Sequence, residues 1–225
     1  VIRMLRLIIG AEAFHAGKVL YFSRYRAGNA NTDQFFECFE EVSGVPLGQF
    51  KSEWLYRIGY PKVSAVTRYD GGEGRFHIRL RQEAQEGKPP FFLPVSLALV
   101  DDNGRDIEGT AKVALLKEFE TEVVFENIKE PPAFASMNRD SSFYGTFRHE
   151  NTDALCLSTQ ARLDPNDCNR VDAMRKLTDI ERVKLLHDPG APVSGEWLSL
   201  YGGFLFDKSL PSSLKAYFLR VDEQP

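Results

Sequence analysis

The sequence predicts a multidomain α+β chain: a helical segment (1–61), a strand-rich segment (62–147) and a second helical segment (148–225). Three observations carry this. Apolar residues recur at three- and four-residue spacing up to about Arg57, as on the buried face of a helix. From Lys62 the period drops to two, with Phe76, Ile78 and Leu80 alternating with His77, Arg79 and Arg81, the signature of a half-buried strand. After His149 the helical spacing returns.

In the first segment Ile2, Leu5, Ile8 and Ile9 form a helical stripe that Gly10 stops, and Phe14, Val19, Leu20 and Phe22 continue in a second helix ending near Ala27-Gly28. Asn31 or Thr32 can cap a third helix, since a side-chain oxygen there accepts from an orphan backbone N–H. Gln34 follows Asn31 at the spacing of a capping box. Phe35, Phe36, Phe39 and Val42 give this helix its buried face. Gly44 permits the C-terminal turn, and Pro46 follows. Phe50, Trp54 and Leu55 repeat the face in a fourth helix, which Gly59 and Pro61 end.

The strand candidates are 62–69, 75–82, 94–100, 105–108, 111–118, 121–127, 133–138 and 142–147, separated by turn signals such as Asp70-Gly71-Gly72 and Asp102-Asn103-Gly104. Asn103-Gly104 between Val100 and Ile107 is a hairpin signal, because both residues tolerate positive φ. Seven or eight short strands at this spacing predict an immunoglobulin-like sandwich. In the last segment 153–162, 169–186, 198–206 and 212–219 read as helices, broken at Asp164-Pro165 and Asp188-Pro189-Gly190.

Composition narrows function. Apolar residues are 43% of the chain and charged residues 27%, an ordinary globular balance. Twenty-eight basic against 32 acidic residues give a net charge of −4, so no nucleic-acid partner is expected. No membrane partner is expected either, since no apolar run reaches spanning length. Arg3 and Arg6 interrupt the first apolar stretch, so no signal peptide is expected there. The three cysteines, Cys38, Cys156 and Cys168, are unclustered and odd in number. That favours a reducing, cytoplasmic setting over a disulfide scaffold.

The order Asn29 to Trp54, then Gly59-Tyr60-Pro61, then a strand from Lys62 resembles a junction in the zinc aminopeptidase N family, where the catalytic domain hands over to an immunoglobulin-like sandwich. Val1-Ile2-Arg3-Met4-Leu5, Gly10-Ala11-Glu12-Ala13-Phe14 and Tyr21-Phe22-Ser23-Arg24-Tyr25 are similar to that family's preceding helices, most of all in the bacterial alanyl aminopeptidase branch. Asn169-Arg170-Val171-Asp172-Ala173 and Asp207-Lys208-Ser209-Leu210-Pro211 resemble the opening of its C-terminal helical domain. The resemblance implies that 1–61 is the helical end of a thermolysin-like catalytic domain, 62–147 the sandwich, and 148–225 the start of the C-terminal α-helical domain. It also implies a non-catalytic piece of a larger peptide-hydrolysing enzyme, starting at Val1 just past the active site. Its partners would be the upstream catalytic domain and the remaining helical domain. Zinc and peptide substrates would belong to the parent.

The family's zinc needs two histidines one helical turn apart, with a glutamate between them as general base and a distant glutamate as third ligand. His15, His77, His149 and His187 offer no such pair; His149-Glu150 begins the motif, but Asp153 stands where its second histidine should be. Tyr21, Tyr25, Tyr56 and Tyr60 do not occupy the family's tyrosine motif. No catalytic, cofactor-binding or metal residue is therefore expected in this chain.

Other signals have plainer readings. Ser212 and Lys215 match an acylating-serine spacing without its companion motifs. Gly71-Gly72-Glu73-Gly74 precedes a strand, so it reads as a hairpin turn rather than a phosphate cradle. His187 fits a helix C-terminus, His77 a solvent-facing strand position, and Cys38 a buried thiol. The competing functional class is an independent protein- or glycan-binding sandwich, with Phe91, Phe92, Phe143, Tyr144 and Phe147 as an exposed aromatic patch.

Overall fold

The computed structural model describes residues 1–220. They form two compact units, 1–96 with 112–129 and 141–150, and 97–111 with 130–140 and 151–220.

The first unit opens with α1 (Ile2–Ile9), α2 (Ala11–Tyr25), α3 (Thr32–Ser43) and α4 (Gly48–Leu55). Gly10, at φ 85°, separates α1 from α2. The α3 start is the expected capping box: Asn31 Oδ1 accepts from the Gln34 N–H at 2.9 Å, and Gln34 Oε1 accepts from the Asn31 N–H at 2.9 Å. That satisfies two backbone donors the helix cannot pair itself. Gly44 closes α3 in the left-handed conformation. Phe36, Phe39 and Phe50 are buried, as the spacing predicts, whereas Val19, Phe22 and Leu55 are exposed. A Cβ on Gly17 would come within 2.4 Å of the Phe39 ring, so α2 and α3 approach closely at the one residue without a side chain.

The strands are β1 (Lys62–Asp70), β2 (Arg75–Gln82), β3 (Leu93–Val100), β4 (Lys112–Leu116), β5 (Glu120–Phe125), β6 (Phe134–Met137) and β7 (Thr146–His149). They make a four-stranded sheet, β5-β2-β1-β7, and a three-stranded sheet, β4-β3-β6, the expected sandwich. β1 and β2 form an antiparallel hairpin from Val63↔Gln82 to Asp70↔Arg75, while β7 lies parallel to β1 from Lys62↔Thr146 to Ala65↔His149. Gly71 to Gly74 is the hairpin turn, with Asp70 Oδ1 accepting from the Gly72 and Glu73 N–H groups.

Two strand expectations are corrected. Residues 105–108 make a single bridge, Val100↔Asp106, instead of a strand. The hairpin at Asn103-Gly104 does form, with the Ile107 N–H donating to the Leu99 carbonyl at 2.8 Å. The next ladder position is taken by a side chain: the Leu99 N–H donates to Thr110 Oγ1 at 3.1 Å, so pairing stops. The strand expected at 142–147 is displaced to β7, because its neighbour β1 begins only at Lys62, opposite Thr146, and the residues before Thr146 have no strand to pair with there.

In the second unit α5 (Ala154–Leu163), α6 (Asp167–His187), α7 (Gly195–Phe206) and α8 (Ser212–Phe218) pack around Leu157, Ala161, Met174, Leu177, Leu200, Phe204 and Phe218. Asp153, Asn166 and Ser194 cap α5, α6 and α7 with their side chains. A buried polar network ties the α5–α6 corner to β6. Asp164 accepts from Ser136 Oγ, the Asn166 N–H and Gln160 Nε2, each at 2.9 Å. Asn169 Nδ2 donates to Ser136 Oγ and the Met137 carbonyl, both at 3.0 Å. Arg139 donates to Ser136 Oγ and forms a bidentate pair with Asp106 at 2.6 and 2.7 Å. The Arg139 hydrogen bond holds the Asp106 carboxyl below the usual range. Gly104 belongs to this corner too: at φ +73° a Cβ would sit 2.6 Å from the Leu163 carbonyl oxygen.

Candidate functional site

The best-built feature of the first unit is the seam between α4 and the loop before β3. Trp54 Nε1 donates to the Phe92 carbonyl at 2.7 Å, and Gln49 Nε2 donates to the Pro90 and Lys117 carbonyls. Arg57 lies with its guanidinium 3.9 Å from the Phe91 ring centre. It pairs with Glu53 at 2.5 Å and donates to the Pro89 carbonyl and Gln85 Oε1. Both partners are nearly buried, and Arg57 Nε has no acceptor. Gln82, also buried, donates to the Phe91 and Glu118 carbonyls and accepts from the Phe91 N–H. Phe91 and Phe92 are thus buried at 2% and 1%, and Phe143 at 3%. The expected aromatic patch is corrected accordingly: Trp54 and Phe50 cover two of its rings, and of the five residues only Tyr144 is exposed, Phe147 being half-buried.

On the outer side of the β5-β2-β1-β7 sheet, residues alternate with those of the core, and the registers align Glu120, Arg81, Ser64 and Arg148 in one cross-strand row. A cleft of about 710 Å³ opens at the end of the sheet where β1 begins, within the size range of small-molecule pockets. Its lining is of mixed charge, with Lys62, Arg81 and Arg148 beside Glu83 and Glu150 around Ser64. The sequence shows each of these residues but not their meeting, because Arg148 reaches Ser64 only through the parallel β1–β7 pairing.

The histidines are dispersed over α2, β2, β7 and the last turn of α6. His149 lies on a strand, 3.0 Å from Thr67 Oγ1, so His149-Glu150 does not begin a helical metal motif. His77 is half-buried on the outer sheet face, with Nδ1 3.2 Å from Glu122 and Nε2 buried without a hydrogen-bond partner. His187 Nδ1 meets the Val183 carbonyl at the end of α6. Lys215 Nζ donates to the Leu205 carbonyl, away from Ser212. Tyr21 and Tyr25 pack on each other in α2. Tyr60 packs edge-on against Tyr144, and Tyr56 is exposed. Cys38 is buried, as expected, and none of the three cysteines is in a disulfide. Among the described residues no group of three or more His, Cys, Asp or Glu is placed to hold a metal ion.

Comparison with known proteins adds a family context. A family described as a domain of unknown function (DUF3458) with an Ig-like fold matches residues 59–150. Across 98% of its length the chain is 27% identical to aminopeptidase N of Escherichia coli (strain K12), and across its full length 28% identical to aminopeptidase N of Caulobacter vibrioides. It covers 27% and 26% of those proteins, so it spans about a quarter of the length of these relatives. A stretch covering 43% of the chain is 33% identical to aminopeptidase M1 of Arabidopsis thaliana. The fold is also that of part of a solved structure, Legionella pneumophila aminopeptidase A in complex with aspartic acid. The TM-score is 0.83 at 23% identity, over 99% of this chain and 25% of that one.

Proposed function

Because this chain is aminopeptidase N-like along its whole length, we propose that it serves as a non-catalytic part of a zinc-dependent aminopeptidase that removes N-terminal residues from peptides. The observation that carries the reading is the collinear similarity over 98–100% of the chain to about a quarter of each aminopeptidase N relative. The described residues do not fit a zinc ion, whose protein-bound forms need three or four convergent ligands. In this reading the metal and the catalytic groups belong to the rest of the parent. The chain's own work is to support and to space. The α3 and α4 helices back the catalytic domain, and the Trp54, Gln49 and Arg57 bonds fasten α4 to the sandwich. The sandwich then sets where the C-terminal helices begin. A cytoplasmic setting is part of the same proposal and rests on the odd number and wide spacing of the three cysteines in the sequence.

The test is an aminopeptidase assay of the purified chain on alanyl and arginyl reporter substrates, with zinc measured on the same sample. No turnover and no stoichiometric zinc are expected. Chelator-sensitive turnover with bound zinc would overturn the non-catalytic assignment.

A further inference from the structure

We infer that Asn103 is a modification site: a latent point of spontaneous deamidation that Asp101 holds shut while the hairpin around it stays closed. Asn103-Gly104 is the one Asn-Gly pair in the sequence. The inference stands apart from the aminopeptidase reading, since it rests on this hairpin alone.

The reaction consumes only water. The Gly104 backbone nitrogen attacks Asn103 Cγ and a C–N bond forms. The side-chain amide nitrogen leaves as ammonia, carrying the proton that the attacking nitrogen gives up. Water then opens the five-membered imide at either of its carbonyls. One opening gives aspartate. The other gives isoaspartate, whose main chain runs through the former side chain and is one methylene longer. A glycine in the second position leaves the attacking nitrogen unhindered, because it has no Cβ.

The fold itself requires the reactive pair. Gly104 takes φ +73°, and a Cβ on it would lie 2.6 Å from the Leu163 carbonyl oxygen, so a side chain there is excluded. Asn103 is exposed. Among the described residues its side-chain amide makes no hydrogen bond, and only its backbone N–H is held, by Asp101 Oδ1 at 2.9 Å. The electrophilic carbon is therefore free to turn toward the Gly104 nitrogen.

What keeps the site shut is the nitrogen. The Gly104 N–H donates to the Asp101 carbonyl at 3.0 Å, and an amide engaged in this way is slower to give up its proton and attack. The Asp101 side chain fastens the same turn. Its Oδ1 accepts from the Asn103 and Arg105 N–H groups at 2.9 and 2.8 Å, and its Oδ2 accepts from Arg105 Nε and Nη2 at 3.1 and 2.9 Å. These bonds, the Arg105 N–H foremost, hold the Asp101 carboxyl below its usual range, so the clamp is charged at neutral pH. A methylene added at position 103 would push Gly104 off its seat beside Leu163 and strain the Ile107 to Leu99 bond that closes the hairpin. Turns of this kind open locally without global unfolding. Deamidation would mark, irreversibly, a chain in which this one has opened.

The test incubates the full 225-residue chain in mildly alkaline buffer, with and without urea, and follows Asn103 by peptide mapping and mass spectrometry. Methylation by an isoaspartyl methyltransferase reports the lengthened main chain. The native chain should react at Asn103 about ten-fold more slowly than the unfolded one, a comparison that needs no variant. D101A should raise the native rate about ten-fold, equivalent to about 1.4 kcal/mol of turn opening. D101N, which keeps an acceptor oxygen, should raise it less. Asn127 is exposed and precedes the β-branched Ile128, so it serves as the internal control and should stay intact in D101A. Circular dichroism confirms that the variants remain folded. The inference is overturned if Asn103 reacts as fast in the native chain as in urea, or fails to react in urea. It is also overturned if D101A leaves the rate unchanged, or speeds Asn127 as much as Asn103.

Discussion

Replacing Arg57 by Met should cost about 3–5 kcal/mol of stability, and replacing Glu53 by Gln in the same chain should recover most of it. The Arg57 and Glu53 side chains are only 10% and 6% exposed. Removing the guanidinium strands the carboxylate in a site closed to water, and breaking a buried pair from one side typically costs that much. The lost stacking on Phe91 adds about 0.5–2 kcal/mol, partly replaced by the Met side chain. The pair itself is a modest stabiliser: Arg57 Nε is buried with no acceptor, a desolvation cost of about 1–3 kcal/mol that offsets part of the attraction. Hence E53Q/R57M should lie within about 2 kcal/mol of the parent chain, although each single substitution is severe. Urea unfolding followed by tryptophan fluorescence reads the difference, because Trp54 lies on the same seam. If R57M falls within 0.5 kcal/mol of the parent, roughly the range of neutral surface substitutions, the seam is not a buried electrostatic lock and the argument fails.

Three further outcomes are expected. Asp164→Ala removes the acceptor of three hydrogen bonds and leaves the fully buried Ser136 without its acceptor; the loss should be about 2–4 kcal/mol, and Asp164→Asn, which keeps an acceptor oxygen, should lose less in the same urea titration. The Asp106 carboxyl is held low by Arg139, so its contribution is fully present above the unfolded carboxylate pKa of about 3.9 and is lost as pH falls through the lower folded value; Arg139→Ala should flatten the acid limb of the stability–pH curve, and an unchanged limb would refute the assignment. Among the thiols, Cys168 is exposed, Cys156 is pushed up by burial and Cys38 is buried, so a disulfide reagent should modify Cys168 first and Cys38 only on unfolding, as peptide mapping would show.

Features governed by neighbours in sequence were legible in advance. The Asn31–Gln34 box, the Gly10 and Gly44 breaks, the hairpin at Gly71 to Gly74 and the two helical segments each depend on a few consecutive residues. Features governed by distant pairing were not. The single-bridge stretch at 105–108 depends on Thr110 taking the place of a backbone acceptor for Leu99. Phe91 and Phe92 read as exposed because nothing adjacent to them signals that Trp54 and Gln82 close over them. The late start of β7 depends on where β1 begins, since the two pair only from Lys62 opposite Thr146. The arginine-walled cleft requires Arg81 and Arg148, far apart in the chain, to flank Ser64 in register. Period-two patterning says which face a residue takes, not which strand lies beside it.

The parallel arrangement of β1 and β7 has a mechanical consequence. The chain runs into the sandwich at the first residue of β1 and leaves it at the last residue of β7, and the two strands point the same way across four paired positions. Tension drawing the preceding helices away from the following ones pulls these two strands in opposite directions along their length. The hydrogen bonds between them are then loaded together, in shear, and do not peel apart one by one. A sandwich wired this way resists stretching far better than one whose end strands form a hairpin, and its rate of forced opening is set by the barrier to sliding that one ladder.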